Sequence, residues 1–329
     1  MEEWPYSVYE EEEDGCPVYV LEDRGARSQA WVAPSLGFNA YRFSIEPEEH
    51  GVAIIDPPAT LEDLRRSPAG YGLPLLFPFP GRIPGGRFTF RGLPYALEAV
   101  DRRGDAIHGL VLDRPWTVTA SEAGHGAALT GRIESRAFPM LATQYPSAFR
   151  LDVTYRLRGW TLTVEAQAEN IGSEALPVGY GLHPYLHTPL DHDSSVGGCV
   201  IEVPARRRWQ LVDHVPTGQL EPVEEDLARG VSLEGRAFDH VYTDLRQAHG
   251  VSRAVLSDTR NRLAVVVEAD SQFLNWVVYT PPRPAVCLEP WTSAPNAINL
   301  QERGIDAGLI VLEPGERRCW TVRLTVRRV

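Results

Sequence analysis

The chain has 329 residues, 43% of them hydrophobic and 23% charged, which is enough apolar material for a large core and excludes a disordered chain. Its formal net charge of -12 sets long-range repulsion against nucleic acid and anionic membranes, so a small neutral ligand suits it better. No stretch approaches the roughly 18 uninterrupted apolar residues of a membrane span.

In chain order, the start MEEWPYSVYEEEED lacks the basic and apolar regions of a secretory signal, and its acid run, residues 10–14, reads as a solvated terminal segment. Residues 60–67 read as a short helix, because Thr60 and Asp63 have capping-box spacing. GRIPGG at 81–86 looks like a phosphate loop, but no Gly-Lys-Ser/Thr follows, so a turn entering a strand is expected. Phe88 and Phe90, an Arg91-Gly92 turn and residues 94–98 predict a hairpin, and residues 116–120 are expected to pair with 127–134.

The clearest alternation spans residues 149–170. Leu151, Val153, Tyr155 and Leu157 share one face; after the Arg158-Gly159 turn, Trp160, Leu162, Val164, Ala166 and Ala168 do the same. A long antiparallel hairpin with one buried face follows. Residues 224–229 read as a second short helix, and 263–269 with 273–280 as a further strand pair. The chain ends in a strand in which Trp320, Val322, Leu324 and Val326 alternate with polar residues. The 27 prolines and 28 glycines are spread through the chain, as strand-joining turns require, and no fixed-period repeat is present. The expected architecture is one all-β domain over residues 1–329, a large antiparallel β-sandwich.

Certain polar residues do not fit a plain sandwich. Glu289 lies in the apolar run Ala285-Val286-Cys287-Leu288-Glu289-Pro290-Trp291, where an ionised carboxylate needs either a buried partner, such as Arg283 or Arg82, or a function. His183 follows Gly179 and Gly181 and precedes Pro184, which biases it to an extended strand end; there it is a structural imidazole or a proton carrier. His108 before Gly109 and Asp239 after Phe238 are weaker candidates, and Asp239 also reads as a turn cap. His187, Asp191, His192 and Asp193 read as a polar loop rather than metal ligands, and no metal is expected. The cysteines, Cys16, Cys199, Cys287 and Cys319, form no CxxC pair and read as reduced thiols. Arg206, Arg207 and Arg208 read as a solvated face, with contact to a phosphate as the alternative.

These scattered residues resemble the aldose 1-epimerase (galactose mutarotase) family from about Phe77 to the C-terminus. The resemblance rests on the order of Phe79-Pro80-Gly81-Arg82-Ile83 with Gly86-Arg87-Phe88, Ile107-His108-Gly109 with Pro115-Trp116, Gly181-Leu182-His183-Pro184-Tyr185, Phe238-Asp239, and Leu288-Glu289-Pro290-Trp291-Thr292. It implies an open cleft on a large antiparallel β-sandwich and no cofactor. It also implies His183 as general acid, Glu289 as general base, and Arg82, His108 and Asp239 as sugar-binding residues. Gly81 stands where the family often has Asn, and Leu186 where it often has Phe; the first removes a side chain beside Arg82 and bears on sugar preference.

The implied reaction interconverts α and β anomers by opening and reclosing a cyclic hemiacetal, with acid and base on different sides of the sugar, His183 cationic and Glu289 ionised. Trp291, Trp276 or Tyr185 is expected to offer the sugar an apolar face. Alternatives are a hexose 6-phosphate mutarotase, which needs cleft arginines, and a non-catalytic sugar-binding protein of the same fold. Glycoside hydrolysis wants two carboxylates where one is nominated. The expected partner is a small-molecule sugar, with neither nucleic acid nor membrane; the expected location is cytoplasmic, and a homodimer is left open.

Overall fold

The computed structural model describes residues 5–47, 50–98, 101–191, 193–223 and 227–329. The alternation in residues 149–170 produces two ten-residue strands, Phe149–Arg158 and Thr161–Asn170, paired from Phe149 opposite Asn170 to Arg158 opposite Thr161. Their buried face pairs Leu151 with Ala168 and Val153 with Ala166 at one end and Tyr155 with Val164 and Leu157 with Leu162 at the other, and all of these enter the core. Thr161–Asn170 then pairs with the C-terminal strand Arg317–Arg328. Among the described residues these strands belong to a nine-stranded sheet ordered Thr117–Ala123, Ala127–Glu134, Phe149–Arg158, Thr161–Asn170, Arg317–Arg328, Leu263–Asp270, Val251–Asp258, Cys199–Glu202, Val231–Ser232.

The facing sheet has thirteen strands among the described residues. Its main path runs Tyr6–Glu13, Cys16–Asp23, Ser28–Ala33, Asn39–Ile45, Val52–Ile55, Tyr185–His187, Ala285–Trp291, Asn275–Tyr279, Asp239–Leu245, Ala205–Val212, Val215–Pro222. One apolar core draws on both sheets: Trp276, Val278, Val286 and Leu288 from the larger meet Val265, Val267, Leu162 and Val164 from the smaller. Polar ends are satisfied across the gap, as Tyr155 OH donates to the Phe38 carbonyl at 3.0 Å and Trp276 Nε1 to Ser252 Oγ at 3.1 Å. The fold is a large antiparallel β-sandwich, as the alternation implied.

The larger sheet is covered on its outer face as well. Successive side chains of a strand point to opposite faces, so while Val286 and Leu288 enter the inter-sheet core, Cys287, Glu289 and Trp291 face outward. All seven residues of Ala285–Trp291 are nevertheless buried, because Trp291 packs in a second apolar cluster with Leu76, Trp209, Ala294, Ala297 and Leu300, and Cys287 in a third with Tyr185 and Tyr279. This explains why the segment reads as one apolar run with a carboxylate inside it.

Local expectations fare unevenly. Thr60 caps the helix Leu61–Arg66 in a capping box with Asp63. The 81–86 turn enters the strand Arg87–Phe90, which pairs with Leu93–Ala96, and Thr117–Ala123 pairs with Ala127–Glu134 across a bulge. The expected pairing of 263–269 with 273–280 does not occur: Leu263–Asp270 lies in the nine-stranded sheet and Asn275–Tyr279 in the thirteen-stranded one, so the short connection carries the chain between layers. The acid run is solvated at Glu10, Glu11 and Glu12 but is ordered structure, since Tyr6–Glu13 is the edge strand of the larger sheet; Glu13 accepts from Tyr41 OH at 2.7 Å and Asp14 from the Leu61 amide at 2.8 Å. Acidic side chains on an edge discourage pairing with another chain. Of the expected helix 224–229, residues 224–226 lie outside the described residues and Leu227–Arg229 is a single 3-10 turn. No helix among the described residues is long and apolar enough to cross a membrane.

Candidate active site

The outward face of Ala285–Trp291 forms the floor of a cleft of about 510 Å³. Its walls bring together His183, Glu289, Arg82, His108 and Asp239, all five residues singled out by sequence, from segments as far apart as 82 and 289. A cleft of this size lies within the range of small-molecule sites.

His183 sits between the strands Gly181–Leu182 and Tyr185–His187, its amide bonded to the Pro74 carbonyl at 3.1 Å. Its ring stacks on Tyr185 at 4.6 Å and meets His108 edge-on at 5.3 Å. Tyr185 OH donates to the Ala69 carbonyl at 2.9 Å, which leaves its lone pairs toward His183 Nε2, 3.4 Å away. His183 Nδ1 lies 3.4 Å from Glu289 Oε1. Both residues are nearly sealed, 5% and 1% exposed, and neither His183 Nδ1 nor Glu289 Oε2 has a hydrogen-bond partner.

Burial lowers the His183 pKa well below the ordinary imidazole value, with His108 and Arg283 adding repulsion. Burial also raises Glu289 well above the usual carboxylate range, helped by the negative charge of Asp239, while the Trp291 indole works the other way. Both shifts disfavour the charged forms, which runs against the expectation of a cationic His183 beside an ionised Glu289. Neither Arg283 nor Arg82 is a buried partner of Glu289: Arg283 Nε binds Asp56 Oδ2 at 2.6 Å, and Arg82 Nη1 binds Asp101, with Asp105 at 3.8 Å.

His108 is held in the left-handed region at φ 61°, ahead of Gly109, a conformation histidine tolerates better than most residues but which still stores strain. Its Nδ1 accepts from the Gly81 amide at 3.3 Å, which makes Nε2–H the free donor. Burial, with Arg82 nearby, pushes its pKa down to about 3. Asp239 is the first residue of Asp239–Leu245, half-exposed, and its Oδ2 lies 2.8 Å from His214 Nδ1.

Gly81 also has a physical account. It sits at φ +71°, and a Cβ there would lie 2.7 Å from Pro295 and 3.0 Å from Trp291. An Asn at this position has no room, so the cleft dispenses with that side chain.

Of the expected aromatic platforms, Tyr185 and Trp291 line the cleft, whereas Trp276 points the opposite way into the inter-sheet core. The imagined metal loop disperses: His187 faces Asp56 and Asp191 faces His50, while His192 lies outside the described residues. Arg206 and Arg208 pair with Asp244 and Glu221 and do not line the cleft. Sequence reading missed Tyr279 and His214, and it gave Arg283 only a structural role. The usable signal was period two: Cys287 and Glu289 share a face, and Tyr279 stands opposite Cys287 in the neighbouring strand.

The architecture is that of galactose mutarotase-like proteins. It matches such a protein from Clostridium acetobutylicum with TM-score 0.90 and 21% identity, covering 99% of both chains, and galactose 1-epimerase from Lactobacillus acidophilus NCFM with TM-score 0.75 and 15% identity, covering 98% of both. The model of the aldose 1-epimerase family matches residues 44–325, and the chain belongs to that family. It is 29% identical over 250 residues to the uncharacterized protein YihR of Escherichia coli K12, across 74% of this chain and 75% of YihR.

Proposed function

We propose that the protein is a mutarotase for a neutral aldose, with His183 and Glu289 as the proton-transferring pair and Arg82, His108 and Asp239 holding the sugar. The observation that carries this is the 3.4 Å approach of two buried titratable groups, each with an unpartnered polar atom, at the floor of an open cleft. Natural proteins rarely leave such atoms unsatisfied, and acid-base sites are where they do.

The two groups are neighbours on one wall and do not straddle a sugar, which corrects the expectation of opposite sides. Adjacency suits the chemistry, because O1 and the ring oxygen are both bonded to C1. Once the shared proton sits on His183, Glu289 removes the O1 proton while His183 protonates the ring oxygen. The C1 to ring-oxygen bond breaks and C1=O1 forms. Rotation about C1–C2 and reclosure with the reverse proton transfers give the other anomer and return each proton to its donor. Ring opening leaves the proton on the carboxyl and the imidazole neutral, the direction in which burial shifts both groups, so the pair carries no separated charge at the open-chain stage.

A neutral substrate is supported by charge matching in the cleft. Arg82 is met by Asp101 and Asp105, Arg283 by Asp56, and His214 by Asp239. A phosphate would have to displace one of these carboxylates. We also read residues 1–329 as one domain, on the ground that a single core draws on both sheets.

Saturation-transfer NMR on glucose, galactose and glucose 6-phosphate tests the reading. Faster anomer exchange on a neutral sugar is expected, reduced about a hundred- to ten-thousand-fold in His183→Asn. Sugar binding without enhanced exchange would support the non-catalytic alternative, and preference for glucose 6-phosphate the phosphate one.

A further inference from the structure

Nothing in the proposed reaction uses Cys287. It is a free cysteine, fully buried, two residues before Glu289 on the same face of Ala285–Trp291. Among the described residues, one donor atom each from His183, Cys287 and Glu289 lie within 4.8 Å of one another. His183 Nδ1 and Glu289 Oε2 are buried with no hydrogen-bond partner, so two of the three donor residues carry unspent capacity toward the cleft floor.

The donor set is imidazole, thiolate and carboxylate, which suits zinc and does not suit magnesium or calcium, whose ligands are oxygens. Zinc bond lengths and tetrahedral angles put donor atoms about 3.3 to 3.7 Å apart. The 3.4 Å between His183 Nδ1 and Glu289 Oε1 already meets that, and the remaining separations need to shrink by at most about 1.5 Å. Charge also balances, since one thiolate and one carboxylate neutralise a divalent ion in a site where a net charge is costly.

We propose that His183, Cys287 and Glu289 form a zinc-binding tripod at the cleft floor, and that bound zinc switches off proton transfer by occupying the imidazole and the carboxylate. Zinc displaces the Cys287 thiol proton and the proton shared by His183 and Glu289, and both go to solvent, so no redox partner is involved. Three protein ligands leave a fourth position for a water or a sugar hydroxyl to complete the shell. Zinc binding stands on the tripod's geometry alone; the inhibition rests on the proposed mutarotase reading.

The experiment uses the tag-free full chain after chelator treatment. Equilibrium dialysis against zinc at about 10 µM is expected to give one ion per chain, and cobalt substitution to give a thiolate-to-metal charge-transfer band. Cys287→Ser is expected to weaken zinc binding by at least about tenfold and to abolish the band, while keeping the anomer exchange of the metal-free chain. The cobalt band of the unmutated chain reports thiolate ligation even if the variant fails to fold. No bound zinc, no band, or equal zinc binding by Cys287→Ser overturns the tripod. Bound zinc in a chain that enhances exchange of no sugar upholds the tripod and removes the mutarotase reading. Full exchange activity at saturating zinc overturns the inhibition.

Discussion

On one face of Ala285–Trp291, Val286 and Leu288 enter the core between the sheets; on the other, Glu289 lines the cleft and Cys287 packs with Tyr185 and Tyr279. Leu288 and Glu289 are adjacent and almost equally buried, 0% and 1% exposed. The first is surrounded by apolar side chains and leaves nothing unpaired. The second keeps its Oε2 without a partner and its Oε1 3.4 Å from His183 Nδ1, at the edge of an open space. Burial alone does not separate a core from a site, because both faces of this sheet are covered; unsatisfied polarity does.

Substituting these two neighbours breaks the comparison most directly. Glu289→Gln is expected to lower anomer exchange by about a hundred- to ten-thousand-fold while the unfolding midpoint in urea stays close to the native one, since an isosteric amide keeps the packing. Leu288→Ala is expected to do the reverse. It costs about 2–5 kcal/mol of stability through lost burial and a cavity, with exchange per folded molecule within a few-fold of the native chain. If both variants lose stability alike and activity alike, the two faces do not divide the labour as argued.

Gly81→Ala probes the join between the faces and the cleft wall. A methyl at φ +71° meets Pro295 and Trp291, so backbone strain and overpacking together should cost about 2–4 kcal/mol and shift the amide that bonds His108 Nδ1. A chemical-denaturation series measures the first effect, and a raised KM for the sugar the second. An unchanged protein would mean that Pro295 and Trp291 yield freely.

The same contrast explains what the sequence made legible. Phe149–Arg158 and Thr161–Asn170 announced themselves because one face is buried and the other partly wet, so alternation survives in the residue types. Ala285–Trp291 hides its alternation because both faces are covered, and Glu289 stood out only as a polar residue in an apolar run. Residues 263–269 and 273–280 were mis-paired because neighbouring strands usually do pair, whereas here the intervening turn changes layer. Of the cleft, His183, Glu289, Arg82, His108 and Asp239 came from motif order, but the pairing of Arg283 with Asp56 and of His214 with Asp239 is long-range geometry that no local pattern encodes.

The smallest expected effect concerns pH and His108, which burial, together with Arg82, keeps neutral down to about pH 3 while an unfolded chain protonates it near the ordinary value of 6.5. Between those two values the unfolded state binds the extra proton, so folding stability rises with pH there. His108 therefore contributes fully above about pH 6.5, its contribution falls as pH drops toward 3, and below that no further loss comes from this residue. The expected decline from pH 7 to pH 5 is about 1–2 kcal/mol for a fully neutral, buried imidazole. His183 acts in the same direction and Glu289 in the opposite one, so the total slope cannot be assigned to His108. The difference in slope between the native chain and His108→Asn isolates it, because Asn keeps an acceptor for the Gly81 amide but cannot titrate. Identical slopes, or a His108 ring resonance that titrates between pH 5 and 8, would show that this wall of the cleft is wetter than its burial implies.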